Sequence, residues 1–142
     1  MDAFGDPFNC NPLIKIGCDV AINDYVHIGA VESITIGDRV LIASKVFISD
    51  HNHGSYGKNG IHTSPQIAPG ARSLNSSPIV IEDDVWIGEF VSVLPNVRIG
   101  KGSIIGTLST VTHDIPPYSI AVGSPARVIK QFNFATENWE NA

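Results

Sequence analysis

Basic residues are few: nine Lys plus Arg against fourteen Asp plus Glu leave a net charge of −5 over 142 residues. So small a set cannot form the basic stripe that phosphate binding needs, which argues against a nucleic-acid partner. Long apolar runs are missing too, and no stretch approaches the roughly 18 apolar residues of a membrane-spanning helix. The opening Met1-Asp2-Ala3-Phe4-Gly5-Asp6-Pro7 has neither the basic region nor the apolar segment of a signal peptide, so a cytoplasmic location is expected. Cys10 and Cys18 are the sole cysteines, lack metal-type spacing and read as ordinary thiols. Leucine and methionine are scarce while isoleucine and valine abound. Branched side chains suit pleated, packed surfaces, so the composition predicts β-structure with little helix. The length fits one domain over residues 1–142.

What the chain does have is a ruler of six residues. From Ile81 it meets Ile87, Val93, Ile99, Ile105 and Val111 without a miss; earlier it runs through Ile16, Ile22, Ile28 and Ile34, slips by two, and resumes at Ile36, Ile42 and Ile48. This period belongs to neither an amphipathic strand nor a helix. It is the signature of a solenoid whose hexapeptides form the flat sides of a triangular prism, a parallel β-helix. Four places after the ruler come Val40, Val46, Val85, Val91, Val97, Ser103 and Ser109, small or branched as a crowded corner requires. One place after come Gly17, Gly37, Gly88, Gly100 and Gly106, where crowding or a positive φ disfavours a Cβ. Pro116 and Pro117 cannot continue a ladder and are expected to cap the prism, followed by a tail over about 129–142 in a short helix or arm.

The ruler stops between Ser49 and Pro78, a polar segment far longer than a usual connection and therefore a candidate functional loop. It opens with Asp50-His51-Asn52-His53-Gly54. A histidine at the rim of a rigid wall can take the proton of a substrate hydroxyl, because its pKa lies near neutrality. The base needs an orienting carboxylate, for which Asp50 and Glu32 are candidates. Trp86, between Val85 and Ile87, must point outward, where a ligand or a neighbouring subunit would cover it. No Gly-x-Ser-x-Gly elbow occurs and neither cysteine neighbours a histidine, so direct transfer is simpler than a covalent intermediate.

The Ile87-Gly88, Ile99-Gly100 and Ile105-Gly106 steps, with Asp84-Val85-Trp86 before them and Gly123-Ser124-Pro125-Ala126-Arg127 after, resemble the hexapeptide-repeat O-acetyltransferases over about residues 14 to 132. That resemblance implies a left-handed winding, a homotrimer with each active site between two prisms, and acetyl-CoA as acyl donor without a metal. It implies His53 as general base, with His51 as the alternate, and Asn23 near the acceptor. It sets Trp86 in the cleft, Thr107 and Thr112 along the pantetheine arm with His113 nearby, and Arg127 and Lys130 toward the nucleotide phosphates. Acceptors would be sugars or surface glycans: polysialic acid and capsule polysaccharide, or simpler maltose and galactosides. Two other readings stand beside it. One is a γ-carbonic anhydrase-like enzyme holding a metal through His51, His53 and His62; the other is a non-catalytic scaffold.

Overall fold

The structure, a computed structural model, describes Asp2–Ala3 and residues 13–142. The irregular lead-in expected over residues 1 to 12, Cys10 included, otherwise lies outside the described residues. In chain order the strands are Asp2–Ala3 (β1), Ile14–Ile16 (β2), Ala21–Ile22 (β3), His27–Ala30 (β4), Ile34–Ile36 (β5), Leu41–Ile42 (β6), Phe47–Ser49 (β7), His51–His53 (β8), Leu74–Ser76 (β9), Ile79–Ile81 (β10), Trp86–Ile87 (β11), Ser92–Val93 (β12), Arg98–Ile99 (β13), Ile104–Ile105 (β14), Thr110–Val111 (β15), Ser119–Val122 (β16), Arg127–Asn133 (β17) and Asn138–Asn141 (β18).

Three parallel sheets make the walls of a β-helix. The first wall is β2-β5-β10-β13, the second β3-β6-β11-β14-β16, the third β1-β4-β7-β12-β15. Successive strands in the chain step from wall to wall, so each turn of three hexapeptides stacks on the one before. The ruler residues meet one another directly: Ile36 with Ile81 and Ile81 with Ile99, Ile42 with Ile87 and Ile87 with Ile105, Ile48 with Val93 and Val93 with Val111. All nine are 0–1% exposed. Burying each contributes roughly 1.5–3 kcal/mol, which is why the column tolerates no polar residue. Ile16 and Ile22 obey the same ruler but are 41% and 38% exposed, because their coil is the lowest on its two walls.

The corners separate two roles that the glycine pattern had left joined. Left-handed backbone falls three places after the ruler, at Asp19, Tyr25, Arg39, Lys45, Asp84, Phe90, Asn96 and Leu108, with φ between 55 and 67°. The glycines one place after it have ordinary φ; their reason is crowding. A Cβ on Gly100 would stand 2.4 Å from the Pro117 nitrogen, and one on Gly88 2.8 Å from the Thr107 nitrogen. Such contacts cannot be relieved by a rotamer change, since the obstacle is backbone of the next coil.

The two-residue slip is a widened corner after β4. Ile34 is buried there beside Ile14 and Ile79, and Ile36 takes over as the ruler residue. The 49–78 segment leaves the helix after β7 and returns as β10, which pairs with β5 as though nothing intervened. Within it β8 and β9 pair antiparallel, and Lys58–Gly60 and Pro69–Ala71 form short 3-10 turns.

Two expectations for the C-terminal end need correcting. The prolines do not end the prism: Ile115 bridges to Ile99, and β16 adds a further parallel strand beyond them. The tail is not a short helix but an extended arm packed back on the last coil as a β-hairpin, β17 antiparallel to β16 and β18 antiparallel to β17. An open sheet edge demands a partner, and β17 supplies one with half-buried Val128, Lys130 and Phe132 alternating with exposed neighbours.

Candidate active site

Side chains one place before the buried column face outward, and the register sets them in rows. On the third wall His27 lies beside Phe47 and Phe47 beside Ser92. On the second, Leu41, Trp86, Ile104, Ile120 and Lys130 follow one another across five strands.

The rings of His27 and Phe47 stack 5.2 Å apart with 7° between their planes. Beside them the chain leaves the third wall, and Asp50 turns inward, fully buried. One oxygen, Oδ1, accepts the Val31 N–H at 2.9 Å; Oδ2 accepts the Glu32 N–H at 2.8 Å. Both donors belong to the widened corner, so a single carboxylate clamps the slip in the ruler to the root of the long loop. Oδ1 also lies 3.0 Å from Nδ1 of His51, whose side chain is 12% exposed. A carboxylate so placed receives Nδ1–H and turns Nε2 into the acceptor nitrogen. His53, two residues along β8, is exposed, with its ring centroid 6.2 Å from that of His51. Gly29 makes room for the cluster, because a Cβ there would stand 3.2 Å from His27 Nε2 and 3.5 Å from His51 Cε1. Together with Phe47, Leu94 and Pro95, the three histidines line a cleft of about 370 Å³.

A second cleft, of about 530 Å³, lies on the second wall, lined by Asn23, Leu41, Trp86, Glu89, Ile104 and Thr107 among others. Trp86 points outward as expected, 49% exposed, and the Thr107 hydroxyl donates to the Glu89 carbonyl at 2.7 Å. Within one chain the two clefts occupy different walls, so the structure groups Asn23 with Trp86 and Thr107 and separates it from the histidines. Glu32 meets Asp50 through its backbone N–H; the carboxylate that meets His51 is that of Asp50. Thr112 follows β15, its hydroxyl oxygen 2.8 Å from Nδ1 of His113. Arg127 opens β17, exposed, and Lys130 sits opposite Ile120 at the end of the Trp86 row. At a corner away from both clefts, hydrogen bonds from the Arg39 guanidinium hold the Asp84 carboxyl below its ordinary value.

Among the described residues no group of three or more His, Cys, Asp or Glu side chains is arranged to hold a metal. His62 is instead bridged to Tyr56 within the long loop. The six-residue period carries an outward column as well as the buried one. The rule that exposes Trp86 exposes His27 and Phe47 equally, while Leu94 and Pro95 needed the coil stacking to bring them near.

The comparisons with known proteins agree with this architecture. Residues 78–113 match the family described as bacterial transferase hexapeptide (six repeats). WbbJ of Escherichia coli K12, whose name is that of a lipopolysaccharide biosynthesis O-acetyl transferase, is 47% identical over the whole chain, which spans 70% of that protein. Galactoside O-acetyltransferase of the same organism is 39% identical over 89% of the chain, which spans 58% of it. A hexapeptide-repeat acetyltransferase from Vibrio cholerae, solved with acetyl coenzyme A, superposes with a TM-score of 0.74 at 31% identity over 92% of this chain and 71% of that one. With its periodic core, its paired clefts and these relatives, the chain belongs to the hexapeptide-repeat acetyltransferase family.

Proposed function

We propose that this chain transfers an acetyl group from acetyl-CoA to a hydroxyl of a sugar or surface glycan, with His53 as general base. The observation that carries the reading is the Asp50-His51-His53 arrangement at the rim of the third-wall cleft: one imidazole held by a buried carboxylate, a second exposed beside it. His53 takes the proton of the acceptor hydroxyl, the oxygen attacks the thioester carbonyl, backbone N–H groups meet the oxyanion, and coenzyme A leaves as thiolate to be protonated by His53. His51, its ring fixed by Asp50, packs against the base and is the alternate for its role.

The second wall suits a long, thin donor. Its outward row is apolar from Leu41 to Ile120 and ends in the cation of Lys130, roughly 14 Å from Trp86 at about 4.8 Å per strand. Pantetheine would lie along the row past Trp86 and Thr107, with Lys130 and Arg127 toward the phosphates and Thr112 nearby. Because the histidine cleft and the Trp86 cleft are on different walls, a complete site needs the third wall of one chain against the second wall of another. A left-handed coil assembled as a homotrimer supplies that juxtaposition three times.

The test is free-thiol release from acetyl-CoA by the purified protein against a panel of sugars, nucleotide sugars and oligosaccharides, with light scattering to count subunits. His53→Ala is expected to lower kcat by about 10²–10⁴-fold. His51→Ala is expected to cost less. Absence of thiol release with every hydroxyl acceptor overturns the reading, and a larger loss in His51→Ala moves the base to that residue.

A further inference from the structure

The acceptor side of the site is electrostatically unlike the rest of the molecule. Between His51 and Ile81 there is not one Asp or Glu, whereas Lys58 and Arg72 both fall there; the remaining residues hold all fourteen acids against seven bases. On the coil stack three cations are paired with acids: Arg39 bonds Asp84 at 2.7 Å, Arg98 bonds Glu82 at 2.7 Å and Lys101 lies 3.7 Å from Asp84, while Lys45 lies over the Phe90 ring at 4.8 Å. The loop's two cations rest on neutral oxygens. Lys58 Nζ donates to the Ser77 hydroxyl at 2.8 Å. Arg72 donates from Nε to the Ile67 carbonyl at 2.9 Å and from Nη1 to the Tyr56 hydroxyl at 2.8 Å.

Those contacts place the charge beside the chemistry. The Tyr56 hydroxyl donates in turn to the His53 carbonyl at 2.6 Å, so the Arg72 guanidinium is two hydrogen bonds from the backbone of the proposed base. Ser77, which holds Lys58, donates its N–H to the Asp50 carbonyl at 2.8 Å. Asp50 itself is buried beneath three donors, and Glu32, on the widened corner, is the neighbouring exposed acid. Arg72 uses two of its N–H groups internally and keeps the others for a further acceptor.

Resting on the transferase reading above, we propose that the sugar acceptor is anionic, carrying a carboxylate or a phosphate that Arg72 receives, with Lys58 adding to the local positive field. A neutral sugar would leave the guanidinium without the carboxylate partner that Arg39 and Arg98 have on the stack. Recognition by a planar fork favours a two-oxygen group, which both carboxylate and phosphate present.

The experiment titrates ¹⁵N-labelled protein separately with glucuronic acid, glucose 6-phosphate and glucose, following the Arg72 Nε–H and His53 amide signals by NMR. Thiol release is then measured with acceptors that differ only in carrying the acid. Perturbation of both signals by a charged sugar and not by glucose is expected, and the two charged arms tell carboxylate from phosphate. Arg72→Gln should raise KM for the charged acceptor about tenfold or more, and more than for the neutral acceptor, so that the preference between them falls. Arg72→Lys keeps the charge without the fork and should retain part of the preference, which a purely structural arginine would not show; Lys58→Gln should weaken it less. Equal perturbation by glucose, no perturbation by either charged sugar, or an unaltered preference in Arg72→Gln overturns the proposal. Thiol release with neutral acceptors alone would sink the anion site and spare the transferase reading. Charged sugars bound at Arg72 without thiol release from any acceptor would do the reverse.

Discussion

The coil stack and the 49–78 loop are built on opposite plans. In the stack, position dictates residue: the ruler places are sealed at 0–1% exposure from Ile36 to Val111, and the corners repeat the same turn coil after coil. In the loop most side chains are exposed, and order rests on individual bonds, those of Asp50 at its root, Lys58 to Ser77, and Arg72 through Tyr56 to His53. The stack gains stability by repetition and has little freedom to vary. The loop has that freedom, which suits it to the catalytic and acceptor-binding roles proposed for it.

Excising the loop draws the contrast most sharply. Residues 50 and 77 are already joined by a backbone hydrogen bond, and β10 pairs with β5 without help from the loop. Joining Asp50 to Ser77 through a short Gly-Ser bridge is expected to leave the far-ultraviolet β-signal and a cooperative melt, while acetyl transfer falls below detection. A variant that no longer folds would show that the loop supports the stack.

The next effect is on stability. Ile99→Ala, at a fully buried ruler position, should cost about 2–5 kcal/mol in denaturant unfolding. Leu74→Ala, 42% exposed on β9, should stay within about 1 kcal/mol. Equal losses would erase the distinction between the two regions.

The smallest difference is between glycines. Gly100→Ala drives a Cβ to 2.4 Å from the Pro117 nitrogen and should destabilise by about 1–3 kcal/mol. Gly70→Ala, in the loop with nothing within 4 Å of its Cβ, should be neutral or stabilise by about 0.5 kcal/mol, by restricting the unfolded chain. Thermal melts of the two variants side by side read the difference.

Much of this was legible in the residues. A strict six-residue recurrence of Ile and Val has one economical packing, and the structure adopts it down to the corner valines. Trp86 was legible as outward because both its neighbours were claimed by the core. Other features were hidden for definable reasons. The glycine column was ambiguous between crowding and left-handed backbone, since each disfavours a Cβ; the neighbouring coil resolves it. The tail's alternation over 127–132 is a strand signal, but its hairpin depends on the edge of β16, which exists only once the last coil is laid down. Asp50 and Glu32 were both candidates to orient a histidine, because sequence distance says nothing about a corner that folds back by one coil.

By itself, then, the sequence determined the solenoid, the inward column and the place where regularity breaks, because these follow from local periodicity and the transfer of apolar side chains out of water. The tertiary structure alone decided which carboxylate meets His51, that His27 and Phe47 join the histidine cleft, and that this cleft and the Trp86 row lie on different walls. Those are matters of stacking. Residues a full coil apart in the chain become neighbours at strand spacing, and no count along the sequence carries that distance.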